Sequence, residues 1–136
     1  MDDLRGGGRG VRLAAFGAAV VTVAAGLGSR GVLPAEAGKV AGDVLYTVLV
    51  YAVAVLVAPR TGPARAGAVA LGVSWAVEFF QATGIPAGLA RHSLLARLVL
   101  GTTFNVPDLL WYVVGAAGAV IMHIISVRLT INGRPG

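Results

Sequence analysis

Six polar side chains interrupt an otherwise apolar chain: Asp43, Glu78, Gln81, Arg91, Arg97 and Asp108. Carboxylates set against guanidinium groups can hold phosphate, amine or hydroxyl groups, pass protons, or simply pair with each other. Lys39, Tyr46, Ser74, Asn105, Trp111 and Tyr112 stand around them as supporting candidates. On helices, Glu78 and Gln81 share a face with Ser74 one turn away, Asp108 shares one with Trp111, Tyr112 and Gly115, and Asp43 shares one with Tyr46. For Asp43 and Asp108 taken singly, a first-turn carboxylate that stabilises a helix start by about 0.3–1 kcal/mol is explanation enough. Glu78 differs, because it falls near a helix C-terminus, where the dipole disfavours a negative charge and a bilayer demands a partner. Its simplest partner is Arg97 or Arg91, in an ion pair tying a neighbouring helix to the bundle.

Reaction motifs are missing. No Walker sequence, Gly-x-Ser-x-Gly, His-Glu-x-x-His or placed Gly-x-Gly-x-x-Gly occurs, and Ser93 beside His92 is a sequence neighbour without a third member. With no cysteine there is no thiolate ligand or thiol nucleophile. His123 has no second ligand on its turn and reads as a packed or interfacial histidine. The sequence therefore nominates no catalytic residue, no metal and no cofactor, and an enzyme is the least supported class.

Composition says where such residues must sit. The 136 residues are 57% hydrophobic and 12% charged, against about 25% charge in soluble domains. Mean hydropathy is +0.82. The net charge of +5 comes from basic residues scattered between apolar runs, which argues for juxtamembrane positions and against a nucleic-acid partner.

The pattern predicts an all-α membrane protein forming one domain over 1–136, with four transmembrane helices at about 12–29, 41–58, 65–82 and 107–127. A short interfacial helix is predicted at about 88–99, and flexible tails at 1–11 and 129–136. The first apolar stretch also fits a cleaved signal peptide, but a retained anchor is preferred for the even helix count it gives. The connector 29–42 reads as a loop that makes Asp43 a first-turn residue. Ala68, Gly72 and Ala76, at four-residue spacing, offer a close-packing face. Within 88–99, Leu94, Leu95, Leu98 and Val99 gather opposite His92, Ser93 and Arg97, while Arg91 falls in the apolar half. Asn105 and Asp108 have N-cap and N3 spacing, with Pro107 in the first turn.

Counting Lys and Arg by side gives seven (Arg5, Arg9, Arg12, Arg60, Arg65, Arg128, Arg134) against four (Arg30, Lys39, Arg91, Arg97). The positive-inside rule then places both termini in the cytoplasm. Asp43, Glu78, Gln81 and Asp108 thereby fall at the extracytoplasmic end together with Arg91 and Arg97.

Several of these residues carry a resemblance. Lys39-Val-Ala-Gly-Asp43-Val-Leu-Tyr46 with Tyr51, Glu78-Phe-Phe-Gln81, Leu95-Ala-Arg97, Gly101-Thr-Thr-Phe104 and Asp108-Leu-Leu-Trp-Tyr112-Val-Val-Gly115 resemble the domain of unknown function 2809 family of small bacterial membrane proteins. The likeness runs over roughly 13–121. A looser similarity to VanZ-type proteins implies a setting at the bacterial cell envelope, in the inner membrane, and no reaction. Asn105 and Val106-Pro107 stand where relatives carry more polar residues.

Three readings follow. The cluster binds a membrane lipid or lipid-linked head group, with Arg91 and Arg97 on phosphate; or it serves a small proton- or ion-coupled transporter, acting as a homo-oligomer; or the protein is a structural or accessory subunit with an envelope protein partner. The first is preferred.

Overall fold

The computed structural model describes residues 3–133, which contain helices and short turns and no strand. The helices are α1 (Asp3–Val32), α2 (Ala35–Val57), α3 (Pro63–Gln81), α4 (Ile85–Ala90), α5 (Leu94–Leu100) and α6 (Val106–Asn132). Three stretches are long and apolar enough to cross a membrane: Gly7–Val32, Ala35–Val57 and Val106–Asn132. That is one fewer than the four expected. The stretch at 65–82 does form a helix, α3, but Arg65, Ser74, Glu78 and Gln81 dilute its hydropathy.

Helix α1 begins at Asp3, where a tail was expected, and α6 continues to Asn132; positions 1–2 and 134–136 of the expected tails lie outside the described residues. The connector 29–42 shrinks to a turn at Leu33 and Pro34. Gly38 and Gly42, within that expected loop, are contact positions in a helical hairpin. A Cβ on Gly38 would stand 3.4 Å from the Ser29 carbonyl oxygen. Asp43 consequently lies inside α2 rather than at its start.

The predicted interfacial helix is broken in two at Arg91–Ser93. Ser93 caps the second piece, its hydroxyl accepting from the Ala96 N–H at 3.2 Å. Both pieces are too short to span, and Leu94 and Leu95 on α5 are exposed.

Close approaches fix the directions of the long helices. Lys39 meets Asp108, Val44 meets Gly115 and Tyr51 meets His123, so α2 and α6 run parallel. Against α6, residues 78, 75 and 67 of α3 meet 112, 109 and 120, so α3 runs back between them. These three helices form the bundle, while α1 packs along α2. A Cβ on Gly115 would stand 2.5 Å from the Val44 carbonyl oxygen, and one on Gly67 2.6 Å from Val120, so both glycines are required for close approach. The buried stripe of α3 is Ala66, Gly67, Ala70, Ser74, Glu78 and Gln81. The expected packing face of Ala68, Gly72 and Ala76 is exposed instead. The buried stripe keeps the same four-residue period, displaced to the side that carries Glu78. Apolar residues such as Val21, Leu110 and Ile121 cover the outside, as in helices that face lipid.

Candidate functional site

At the end of the bundle where α2 and α6 begin and α3 ends, polar groups from all three helices converge. Lys39, in the second turn of α2, donates to Asp43 Oδ2 at 3.1 Å and also to Asp108 Oδ2. The first contact is an i,i+4 pair within α2; the second joins α2 to α6. Asp108 is held on its other oxygen by Asn105 Nδ2 at 2.8 Å. Lys39 is 48% exposed at its side chain, against 18% for Asp43 and 6% for Asp108, so the lysine reaches the surface while the carboxylates it bridges lie deeper.

Glu78 is fully buried. Its Oε1 accepts from the Asn105 backbone N–H at 2.6 Å and its Oε2 from the Tyr112 hydroxyl at 2.9 Å. The expected ion pair with Arg97 or Arg91 does not form; both arginines are exposed, in and before α5, away from the carboxylates. The reason lies in how α5 docks. Gln81 Nε2 donates to the Leu100 carbonyl at 2.6 Å, attaching α5 through its backbone and leaving Arg97 outside. Gly101, at φ 68°, completes this joint: the left-handed backbone favours glycine, and a Cβ would stand 2.5 Å from Gln81 Nε2.

Asn105 does occupy the N-cap position of α6, with Pro107 in the first turn, but its side chain does not cap. In a capping box the N3 carboxylate takes the N-cap N–H. Here Asp108 turns to Lys39, and Glu78 of another helix takes that N–H. The acceptor for the helix start is supplied by tertiary structure.

Deeper in the bundle, the Ser74 and Thr47 hydroxyls pair at 3.0 Å, both fully buried. Tyr46 lies against Tyr112 with ring centroids 6.2 Å apart. Trp75, rather than Trp111, makes an interhelical bond, its indole N–H donating to the Leu109 carbonyl at 3.1 Å. Trp111 is half-buried on α6. Far from this end, His123 pairs with the Tyr51 hydroxyl at 2.6 Å.

One cation of the site went unnominated by sequence reasoning. Arg30, near the end of α1, lies over Gly42, where a Cβ would be 3.7 Å from its guanidinium nitrogen. With Lys39, Leu33, Ala35 and Gly38 it lines a cleft of about 290 Å³. Its signal was available only in the hairpin: once α1 and α2 meet at Pro34, Arg30 and Lys39 must face each other across the turn.

No curated protein and no solved structure matches the chain. The profile of the family described as "Protein of unknown function (DUF2809)" matches residues 32–116. That span holds the Lys39 bridge, the Glu78 network and the α5 joint, and stops just past the Gly115 contact. With well over half of its residues in the match, the chain belongs to the DUF2809 family.

Proposed function

We propose that the charged end of this membrane protein binds a polar head group, carried by a membrane lipid or a lipid-linked molecule, and that Asp43, Lys39 and Asp108 are its contact residues. The observation that carries this reading is the outward opening of the bridge. Lys39 is half-exposed while holding two more deeply set carboxylates. A charge group serving cohesion alone gains most from closure, as around Glu78; one left open at a membrane surface can exchange partners with a ligand's amine, hydroxyl or phosphate.

We further infer that α3 crosses the membrane with the three apolar helices, giving four spans. Parallel α2 and α6 require the chain to return between them, and α3 is the only long helix in that interval. Its polar side is sheltered by its neighbours, so modest hydropathy is compatible with crossing. Arg9, Arg12, Arg60, Arg65 and Arg128 at the opposite end support cytoplasmic termini and an extracytoplasmic site. A bacterial inner membrane is the setting implied by the family resemblance.

The test is the lipid content of the purified protein. Lys39→Ala or Asp108→Asn is expected to remove a defined co-purifying lipid while the helical circular dichroism signal persists; unchanged lipid content in both overturns the reading. An accessory, purely structural role is the second reading, favoured by one fact: no buried side-chain polar atom among the described residues lacks a hydrogen-bond partner. It predicts that Lys39→Ala lowers stability and leaves lipid content unaltered.

A further inference from the structure

We infer that Arg30 and Lys39 form a phosphate subsite at the α1–α2 turn, the point at which the bound head group's phosphate ester is recognised. The inference rests on the head-group reading above and specifies one part of it.

Donor arithmetic carries the argument. An ammonium has three N–H donors and a guanidinium five, and neither can accept. Lys39 directs two of its donors to Asp43 and Asp108, leaving one. Arg30 makes no salt bridge and no side-chain hydrogen bond among the described residues. The remaining lining, Leu33, Ala35 and Gly38, contributes no acidic side chain. The cleft is therefore rich in N–H donors, with the unpaired positive charge on the Arg30 side and one spare N–H on the Lys39 side, and its complement is an anion with several acceptor oxygens. Phosphate fits best, because the planar guanidinium fork can engage two of its oxygens while the lysine takes a third.

Size and depth agree. The volume of about 290 Å³ lies at the lower edge of ordinary ligand sites, suiting a head group rather than a whole lipid. Val32 and Leu33, at the turn beside the cleft, are 85% and 42% exposed. Apolar residues exposed at a helical turn between two membrane helices belong at the water–hydrocarbon boundary, the level at which lipid phosphates lie. The Asp43 carboxylate stands on the inner side of Lys39, where it meets an amine or hydroxyl carried by the same ester.

The experiment uses the full chain purified in a neutral detergent and follows its melting temperature with four probes: inorganic phosphate, glycerol 3-phosphate, short-chain phosphatidylglycerol, and the matching diacylglycerol, which lacks phosphate. Phosphatidylglycerol is expected to raise the melting temperature and diacylglycerol to leave it unchanged. Arg30→Ala is expected to weaken the apparent affinity for phosphatidylglycerol by about tenfold, the scale of a lost charged hydrogen-bonding pair. Arg30→Lys, which keeps the charge and loses the fork, should fall between. Each variant's melting temperature without probe establishes that it is folded. Equal stabilisation by phosphatidylglycerol and diacylglycerol, or an affinity unmoved by Arg30→Ala, overturns the subsite. Should phosphatidylglycerol binding vanish in Asp108→Asn but persist in Arg30→Ala, the subsite falls and the head-group reading stands. If the two soluble phosphates stabilise the protein through Arg30 and phosphatidylglycerol does not, the subsite stands and the lipid reading falls.

Discussion

Glu78 and Asp108 lie one layer apart at the same end of the bundle, share Asn105 as a neighbour, and are treated in opposite ways. Glu78 is enclosed and its oxygens are met by an amide N–H and a phenol hydroxyl. Asp108, nearly as buried, is met by a half-exposed ammonium that it shares with Asp43. Dipolar partners cannot leave without unfolding the start of α6 or moving Tyr112. A lysine on a four-carbon stem can swing away and be replaced. The difference separates a carboxylate closed among helix groups from one whose partner reaches the surface.

The contrast can be broken by experiment. Glu78→Ala is expected to have the largest effect, about 3–5 kcal/mol or failure to accumulate in the membrane, because it opens a cavity and strands the buried Tyr112 hydroxyl and the Asn105 N–H; thermal unfolding in detergent measures it. Lys39→Met should cost less, about 1–2 kcal/mol, since the ion pair is partly exposed and screened. Raising the salt concentration should lower the cost of Lys39→Met and so widen that gap, and a cost equal to that of Glu78→Ala would erase the distinction. Tyr112→Phe removes one of the two bonds to Glu78 and is expected to cost about 1 kcal/mol, as interhelical bonds in membranes usually do. Double-mutant coupling should link Tyr112 to Glu78 and not to Lys39. Arg97→Ala and Arg91→Ala are expected to change stability by less than about 0.5 kcal/mol; a larger effect would restore the arginines as partners of the acids.

That last pair shows where sequence reasoning ran out. The alternation of apolar runs and the distribution of basic residues were enough to bring Asp43, Glu78, Gln81 and Asp108 to one end, because helix direction is set by counting turns. Partner identity is not a matter of counting. Glu78 and Gln81 bind backbone groups of Asn105 and Leu100, and a main-chain amide leaves no trace in a pattern of side chains. Charge complementarity pointed to Arg97 by default. The connector 29–42 was misread as a loop for a related reason: only the facing helix α1 reveals Gly38 and Gly42 as contact points within a helix. Arg30 was invisible until that hairpin closed. The lower hydropathy of α3 has the same origin, since a helix packed against two neighbours carries its polar residues on the side they bury.

The contact between Gly115 and the Val44 carbonyl, set beside the sealed Thr47 and Ser74 hydroxyls and the fully buried Ala66 and Ala70, gives the charged end a floor. The charged groups therefore lie over a closed layer: below them a glycine of α6 lies directly against the main chain of α2, and the hydroxyl pair at that level satisfies itself.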